Sequence, residues 1–536
     1  MRVTTSVLST LSLALQAQAY SNYSGSYSSG GYYGGRESCA FSVGKQVRTT
    51  SGTVLGHRAP NATQVSEYLG IPFAVPPLGP LRFAPPVPYT SHRHINASLH
   101  GANCPSTSAT VPEALSPPSL YNLLADLGQV NDTQNEDCLY VNVWSKPQSG
   151  SALKPVLVWI YGGGFNSGGT NSSAYSGQHW ADEEDVVFVN FNYRLNVFGF
   201  PGAEVLEQNV GLLDQRLAVE WVRTNIGGFG GDPTRITIFG ESAGGASVDY
   251  YNYAWTKDPI IAGSIAQSGT ATSFGNRGLA AQQEAWASVA ARVGCNQTNP
   301  AQVLSCMRSP NVTMTALLNA ASAGTSGLAS VLGSFGPTID NRTVFANYTD
   351  RALKGQYIQN PSIFGNNYFE AGLFILLGAG SGASSPLDFW RSFDQTIFTC
   401  PITTAARWRA EVGRLPTWRY IYRAVFPNIR LPTDMGEAWH GAELLPLFGT
   451  SEVVTKQDST WQERALGSYM RSAWSAFAHD PEYGLETFGW RRFDGQGGRP
   501  SVLQLGFGET NSTTFEVEPS YNTTMAYDTG CPAFPG

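Results

Sequence analysis

Three short runs of residues that are apolar on both faces constrain the fold more than any other feature of this chain. The runs are residues 155–161, 186–191 and 235–239. Each is rich in β-branched and aromatic side chains, a composition typical of buried strands. Strands that lack a polar face are characteristic of the centre of a parallel sheet that helices cover on both sides.

A helix is predicted between the second and the third run. Leu213, Leu217 and Trp221 lie four residues apart within residues 212–225, which places them on one helix face. Strand, helix and strand in this order form a βαβ unit. The sequence therefore predicts an α/β fold with a central, mostly parallel sheet flanked by helices, and a length of 536 residues allows long insertions.

The amino terminus predicts export from the cell. Arg2 supplies a positive charge, an apolar stretch follows, and Ala-Gln-Ala at 17–19 matches the small-x-small pattern of signal-peptidase cleavage. We therefore expect a signal peptide over residues 1–19, a flexible Ser/Gly/Tyr-rich leader over 20–36, and a single domain over 37–536. No later segment reaches the roughly 18 apolar residues that span a bilayer, so no transmembrane anchor is expected.

The low charge of the chain bears on its partners and its compartment. Charged residues make up 14% of the chain, against about 25% in an average soluble protein. The net charge is -7 and no dense Lys/Arg run occurs, which excludes nucleic acid as a partner because phosphates would find no basic patch. Eleven glycosylation sequons would supply a solubilising coat in a secreted protein. They are Asn22, Asn61, Asn96, Asn131, Asn171, Asn296, Asn311, Asn341, Asn347, Asn511 and Asn522.

A candidate nucleophile lies where the third apolar run ends. Gly240-Glu241-Ser242-Ala243-Gly244 follows that strand directly and leads into a stretch, 243–253, that is compatible with a helix. Glycines two residues before and after a serine relieve crowding at a strained strand-to-helix turn, so that the hydroxyl projects above the sheet. We expect Ser242 to be exposed at this turn, and the Ala243 N–H to be able to stabilise an oxyanion.

A serine hydroxyl needs a histidine as base and a carboxylate that orients the histidine. The chain order of nucleophile, acid and histidine leaves His440 and His479. His440 lies in a loop-like segment beside a glycine, whereas His479 lies at the polar end of a predicted helix, so the residues favour His440. For the acid, Asp340 and Glu370 both follow apolar runs, and the pattern alone does not separate them.

Gly162-Gly163-Gly164 directly follows the first apolar run and is a candidate source of backbone donors for an oxyanion. A phosphate-binding loop is the alternative interpretation. It is disfavoured because no P-loop lysine follows and the spacing is not Gly-x-Gly-x-x-Gly. The sequence accordingly predicts no cofactor and no metal site.

At this point the chain resembles the type-B carboxylesterase/lipase family, which includes cholinesterases, carboxylesterases and fungal lipases. The segments that carry the resemblance are residues 136–142, 192–194, 229–233, 240–245 and 267–269. The resemblance implies an α/β-hydrolase fold for a single catalytic domain over residues 37–536. It also implies hydrolysis of carboxylic esters, through a Ser-His-Glu triad and an acyl-enzyme intermediate.

The resemblance also implies roles for individual residues. Ser242 would be the nucleophile and His440 the base, with an oxyanion hole formed by Gly163, Gly164 and Ala243.

The assignment of the triad acid rests on the spacing of the family's motif. Counting from Gly365 places Glu370 at the position of the family's glutamate, which favours it over Asp340. Phe369 and Ala371 depart from the Asp and Gly that the family has on either side of this glutamate.

Seven cysteines suit an oxidising compartment, and their odd number leaves at least one unpaired within the chain. The resemblance implies that Cys104 pairs with Cys138 and that Cys295 pairs with Cys306. Cys39, Cys400 and Cys531 then remain, and a bond between Cys400 and Cys531 is a hypothesis.

The substrate is left open among small-molecule and lipid esters. A broad carboxylesterase is one hypothesis; a lipase with a lid between Cys104 and Cys138, which would contact a lipid interface, is another. An apolar helix face in that segment supports the lid; its residues are Leu120, Leu123, Leu124 and Leu127.

A catalytically inactive adhesion-type relative is a third hypothesis, disfavoured because the nucleophile, histidine and glycines are all present. The resemblance also disfavours choline esters, because the family members that bind quaternary ammonium do so with a Trp in the segment that corresponds to the one between Cys104 and Cys138, and here this segment contains no Trp.

Overall fold

The computed structural model describes most of the chain from residue 42 onward. The described ranges are residues 42–107, 118–147, 152–323, 333–379, 386–431, 437–495, 499–506, 520–522 and 527–532. The predicted signal peptide and leader, together with Cys39 and the sequons at Asn22 and Asn511, lie outside these ranges. The described residues belong to one compact unit.

Fourteen strands form two sheets among the described residues. In chain order they are β1 Gln46–Thr49, β2 Gly52–Leu55, β3 His57–Arg58, β4 Ser66–Pro72, β5 His94–Asn96, β6 Tyr140–Ser145, β7 Lys154–Ile160, β8 Val187–Phe191, β9 Gly231–Glu241, β10 Gly263–Gln267, β11 Ser362–Asn367, β12 Thr417–Tyr422, β13 Val502–Leu505 and β14 Ser520–Asn522.

The larger sheet has eleven described strands in the order β14-β13-β12-β11-β10-β9-β7-β8-β6-β4-β3. Its centre, from β8 through β7 and β9 to β13, is parallel throughout. Antiparallel pairs occur only towards its two edges in the described part. A small sheet of β1, β2 and β5 lies apart from it. The predicted fold class, a mostly parallel sheet flanked by helices in an α/β-hydrolase fold, is confirmed.

Sixteen α-helices connect these strands in the described ranges. They are α1 Pro118–Leu127, α2 Gln178–Glu183, α3 Asn196–Gly199, α4 Val210–Asn225, α5 Ala243–Ala254, α6 Leu279–Arg292, α7 Pro300–Met307, α8 Met314–Ser322, α9 Tyr348–Leu353, α10 Ala371–Ala379, α11 Leu387–Asp394, α12 Cys400–Arg407, α13 Leu444–Phe448, α14 Ser451–Thr455, α15 Trp461–His479 and α16 Gly484–Phe488. Short 3₁₀ turns occur at Gly79–Leu81, Ser173–Tyr175 and Ile226–Phe229, and π turns at Gln395–Thr399 and Trp408–Val412.

The central strands are buried along their whole length, as their composition predicts. Every residue of β7, β8, β10 and β11 is buried. Helix α4 fills the crossover between β8 and β9 and begins and ends close to the predicted bounds. The carboxyl ends of β7, β9, β10 and β11 therefore lie side by side at one edge of the sheet, where parallel α/β sheets carry their ligand sites.

Two of the segments that carry the family resemblance supply buried ion pairs. Arg194 makes a two-pronged contact with Asp214, at 2.8 and 2.7 Å, and also donates to the Ala84 carbonyl. Arg82 makes the same kind of contact with Glu136, at 2.6 and 2.5 Å. Removing one partner of such a pair would leave a buried charge uncompensated, so these residues hold the loops around the sheet in one arrangement.

Three disulfide bonds lie in the described ranges. Cys104 is bonded to Cys138 and Cys295 to Cys306, the pairs that the resemblance implies. Cys400 is bonded to Cys531, which agrees with the hypothesis for that pair and closes a loop with a sequence separation of 131 residues. Within the described ranges, none of the helices has the length and apolarity needed to cross a membrane.

Candidate active site

Ser242 lies at the turn between β9 and α5, as the sequence predicts. Its backbone angles, φ 59° and ψ −123°, belong to a region that side-chain-bearing residues rarely adopt. The turn is held from both sides: the Ser242 N–H donates to the Gln267 carbonyl at 2.8 Å, and its carbonyl accepts from Ala246. Ser242 is only 7% exposed, so the expectation of an exposed serine is wrong. Its hydroxyl lies in the wall of a pocket, because the glycine loop after β7 and Glu241 lie against the turn.

The glycines around Ser242 are required by close backbone contacts. A Cβ on Gly244 would lie 2.0 Å from the Ile160 carbonyl oxygen, and one on Gly240 would lie 2.6 Å from the same atom. Real Cβ atoms do not approach so closely, so strand β7 can pass the turn only if both positions lack a side chain. This is the physical reason for the Gly-x-Ser-x-Gly pattern in this chain.

The glycine loop, Gly162 to Gly164, borders the same pocket as Ser242. Gly163 and Gly164 have φ values of 98° and 63°, which glycine adopts without strain. Ala243 begins helix α5, whose first N–H groups have no partner within the helix. The three residues predicted as oxyanion donors, Gly163, Gly164 and Ala243, are thus placed around one serine.

A clamp of two residues fixes the direction of the glycine loop. The Gly163 carbonyl accepts from the N–H groups of Asn166 and Ser167, both at 3.0 Å, and from the Ser167 hydroxyl at 3.1 Å. The Asn166 side chain is 3% exposed and donates to the Gly164 carbonyl at 2.7 Å and to the Phe335 carbonyl at 3.1 Å. In a planar trans peptide the N–H points opposite to the C=O, so holding the Gly163 carbonyl sets the direction of the Gly164 N–H.

His440 and Glu370 are in contact. The His440 Nδ1 lies 2.7 Å from Oε2 of Glu370, and both side chains are buried. The other Glu370 oxygen accepts from the Ser268 hydroxyl at 2.6 Å and from the Asn367 N–H at 2.7 Å. The carboxylate is therefore fixed by two neutral donors while it faces the imidazole.

The alternative candidates lie elsewhere. Asp340 accepts hydrogen bonds from Asn209 and from residues of its own loop, including Thr343. His479 ends helix α15, and the charged groups that act on it are Asp185, Arg235 and Lys154. The structure brings Glu370 to His440 and brings neither Asp340 nor His479 into the pocket that contains Ser242.

The two departures from the family pattern around Glu370 have visible partners. The Phe369 ring packs in an apolar cluster, under the guanidinium of Arg391 at 4.3 Å. The Ala371 N–H donates to Asp394 at 3.2 Å. The Glu370 carboxylate is contacted by Ser268 directly after β10, by Asn367 in β11 and by His440.

The segment Gln267-Ser268-Gly269 contributes to the site in a way that sequence reasoning missed. Gln267 accepts from the Ser242 backbone and Ser268 donates to Glu370, so the segment contacts both the nucleophile and the acid. A Cβ on Gly269 would lie 2.1 Å from the Ser242 carbonyl oxygen. Gln267 ends strand β10, which lies between β9 and β11, and Ser268 and Gly269 follow it. The signal in the sequence was that this segment is one of those that carry the family resemblance.

Glu241 is a second buried carboxylate beside the imidazole. Its Oε1 lies 3.2 Å from His440 Nε2, at ion-pair distance but without the alignment of a hydrogen bond. Burial raises the pKa of Glu241 above its usual value. Burial alone would lower the pKa of His440, but the negative charges of Glu241 and Glu370 outweigh it, and the net direction is upward.

The pocket above Ser242 is mainly apolar. Its apolar side chains come from α1, α10 and α13 and from the loop after β10: Leu124, Leu127, Phe274, Leu373, Phe374, Leu377 and Leu444. Polar groups are few, chiefly Thr107, Ser167, Tyr175 and Glu241 around the reacting serine and histidine. Such a site suits a neutral molecule with apolar substituents on either side of a polar centre.

Helix α1 divides its apolar face between the pocket and the body of the protein. Leu120 and Leu123 are 0% and 1% exposed, whereas Leu124 and Leu127 border the pocket. The Asp126 carboxylate accepts from the Ser172 hydroxyl at 2.5 Å and from two backbone N–H groups of the 3₁₀ turn that follows. In this arrangement α1 is anchored to the body. Residues 108–117 of the proposed lid segment lie outside the described ranges.

Comparison with known proteins agrees with this geometry. The sequence model of the carboxylesterase family matches residues 43–386. This chain belongs to the carboxylesterase family. It is a carboxylic ester hydrolase, and the resemblance predicted from the motifs is confirmed.

Three relatives show how far the likeness extends. The carboxylesterase is 39% identical to a chlorogenic acid esterase of Aspergillus niger over 82% of this chain and 84% of that protein. It is 36% identical to secreted lipase 5 of Gibberella zeae over 86% of this chain and 90% of that protein. An acetylcholinesterase of Gallus gallus is 40% identical over 49% of this chain and 34% of that protein.

Among the described residues no group of His, Cys, Asp and Glu is arranged to hold a metal ion.

Proposed function

We propose that this carboxylesterase hydrolyses esters through the triad Ser242, His440 and Glu370. His440 takes the proton of the Ser242 hydroxyl as its oxygen attacks the ester carbonyl carbon. The contact of 2.7 Å between His440 Nδ1 and Glu370 supports the proposal most directly, because it orients the ring and stabilises its charged form.

The oxyanion of the tetrahedral intermediate is stabilised by the N–H groups of Gly163, Gly164 and Ala243. His440 then gives its proton to the departing alcohol as the carbon–oxygen bond breaks, which leaves an acyl group on Ser242. Water repeats the sequence: it loses a proton to His440, attacks the acyl carbon and releases the carboxylic acid with a free Ser242.

The substrate class is a neutral ester with apolar groups. The mainly apolar lining of the pocket supports this, as does the absence of a Trp between Cys104 and Cys138, which disfavours choline esters. The relatives include a chlorogenic acid esterase and a secreted lipase, which is consistent with a substrate among esters that carry apolar groups. A lipase in which the segment from Cys104 to Cys138 is a lid is the second candidate, supported by Leu124 and Leu127 at the pocket.

The compartment is proposed to be extracellular. The signal-like residues 1–19, the sequons and three disulfide bonds support this location. One relative is named a secreted lipase.

The triad is tested by covalent labelling. A fluorophosphonate should attach to Ser242 in the purified protein and abolish hydrolysis of p-nitrophenyl acetate, with the label located by peptide mass spectrometry. Ser242→Ala should remain folded, resist labelling and lose about 10⁴-fold or more in kcat. Labelling of another serine, or activity of the variant above a few per cent, would contradict the assignment.

A further inference from the structure

A second apolar cluster lies beside the catalytic pocket, separate from the main core. Its buried members are Phe369, Ala371, Phe374, Trp390 and Phe398, and Phe393 packs against them. They come from the loop after β11, from α10 and α11, and from the π turn after α11. The cluster supports the pocket wall, because Phe374 also borders the pocket.

Aromatic rings connect this cluster to the surface in an unbroken series. Phe389 contacts Trp390 with ring centroids 5.1 Å apart, and Trp390 contacts Phe393 at 5.7 Å. Phe393 contacts Phe374 at 5.2 Å, and Phe374 contacts the His440 ring at 5.2 Å. An apolar path therefore runs from the outer end of α11 to the catalytic histidine.

The outer end of this path is exposed to solvent. Phe389 is 49% exposed and Leu387, two residues before it, is 47% exposed. Helix α10 has no charged or polar side chain from Ala371 to Ala379, yet Ile375 and Leu376 are only partly buried. A helix that is apolar on every side normally lies inside a protein or against a lipid-like phase.

We propose that Leu387 and Phe389 of α11, together with the partly buried Ile375 and Leu376 of α10, form a surface that contacts the aggregated phase of an apolar ester, such as an emulsion droplet. The term droplet-contact surface is used below for these residues. Its occupant follows from continuity: the same helix, α10, supplies both this surface and the pocket residues Leu373 and Phe374. The proposal deepens the proposed function, since the droplet consists of the substrate that the pocket would receive.

This surface differs from the lid hypothesis. Leu120 and Leu123 of α1 are buried against the body, so they cannot contact a droplet without rearrangement. Leu387 and Phe389 are exposed without any movement. Contact at α11 would place a droplet on the helix that packs against Phe374 of α10, a pocket residue, while α1 remains anchored through Asp126.

The test is a double variant, Leu387→Ser with Phe389→Ser, compared with a matched control, Leu55→Ser with Leu353→Ser. The control side chains are 46% and 43% exposed, and neither borders the pocket. Each purified protein is assayed on dissolved p-nitrophenyl acetate and on emulsified tributyrin. Binding is measured by flotation of the protein with triolein droplets.

The α11 variant should hydrolyse the dissolved ester normally but lose about tenfold in droplet binding and in tributyrin activity, because two large apolar contacts are removed. The control should match the wild type in all three assays. Unchanged flotation of the α11 variant, or an equal loss in the control, would overturn the droplet-contact surface. Flotation reports binding and does not require turnover, so a failure of the proposed triad, seen as no hydrolysis of either dissolved or emulsified ester, leaves this comparison decisive.

Discussion

The backbone at Ser242 stores strain that its neighbours hold in place. A non-glycine residue in a sparsely populated region of φ and ψ costs about 1–3 kcal/mol. Hydrogen bonds to Gln267 and Ala246, and the close packing of Gly240 and Gly244 on β7, hold the turn in this conformation. The hydroxyl is thus presented to the pocket before any substrate binds, which is the use of such strain in a hydrolase.

The acid assignment can be tested by two isosteric variants. Glu370→Gln keeps the shape of the side chain but cannot stabilise an imidazolium, so kcat should fall by about 10³- to 10⁴-fold. Asp340→Asn should leave kcat close to that of the wild type, since Asp340 bonds to Asn209 and its own loop. Steady-state kinetics on p-nitrophenyl acetate measures both, and the reverse ranking would move the acid to Asp340.

The pH dependence of the reaction should respond to Glu241. The lower limb of kcat/KM against pH reports loss of the proton from His440, and the raised pKa places that limb above about 6.5. Glu241→Gln removes one of the negative charges that raise this pKa, those of Glu241, Glu370 and Glu443, so the imidazolium is less favoured and the limb should move to lower pH.

Glu184→Gln is the control for this shift. Burial also raises the pKa of Glu184, but its side chain bonds to Ser472 on α15 and does not contact His440. The control profile should match that of the wild type. A limb that stays in place in Glu241→Gln would show that the charge of Glu241 does not act on the base.

Sequence reasoning gave candidate site residues where chemistry left few choices. One motif gave Ser242, and chain order left His440 and His479, of which the loop-like setting favoured His440. Glu370 needed the register of a family, because composition cannot show which of several carboxylates lies next to a histidine 70 residues away. The burial of Ser242 and the role of Ser268 were missed, since both arise from neighbouring strands that are distant in the chain.

At the scale of elements, the glycine loop depends on a residue that no motif marks. Asn166→Ala removes the side-chain donor to the Gly164 and Phe335 carbonyls, which should leave the loop less firmly directed. A donor misplaced by a fraction of an ångström weakens transition-state stabilisation, so kcat should fall about 10- to 100-fold with little change in KM.

Asn225→Ala is the matched control for that variant. Asn225 is equally a buried amide that donates to a backbone carbonyl, that of Trp221, but it lies at the end of α4 and does not border the pocket. Both variants should lose some thermal stability, and only Asn166→Ala should lose kcat. Equal losses of stability and kcat in the two would reduce Asn166 to a structural residue.

The elements at the centre of the large sheet were predictable. The three apolar runs became β7, β8 and the second half of β9, because burial on both faces leaves a composition that few other structures share. The helical periodicity predicted for α1 was also right, but the sequence could not show which parts of the protein its apolar face contacts. Amphipathic spacing shows that a face is covered, and only the structure shows that α1 divides its face between body and pocket.

At the scale of the whole molecule, a chain with 14% charged residues needs another source of solubility. Seven described sequons have an exposed asparagine: Asn61, Asn96, Asn131, Asn296, Asn311, Asn341 and Asn347. A glycan coat on these positions would compensate for the low charge. The odd cysteine count, by contrast, is explained only by the residues outside the described ranges, where Cys39 lies.

Glycan occupancy should follow side-chain exposure in the folded protein. We expect these seven asparagines to carry N-glycans when the protein is secreted from a fungal host, because each is open to solvent. Asn171 should be largely unoccupied: it is half-buried, and its amide nitrogen, the atom that would be glycosylated, donates to the Gly101 carbonyl at 3.1 Å.

The measurement is enzymatic deglycosylation in ¹⁸O-water followed by peptide mass spectrometry, which marks each formerly occupied asparagine. Asn171 is the internal control for the seven exposed sequons, since it shares their Asn-x-Ser/Thr pattern and differs from them in burial. High occupancy at Asn171 would show that glycans are added before this region folds, and that final exposure does not decide the coat. Absence of glycan at all seven exposed sites would contradict export through a glycosylating compartment, and the charge-poor surface would then need a different explanation.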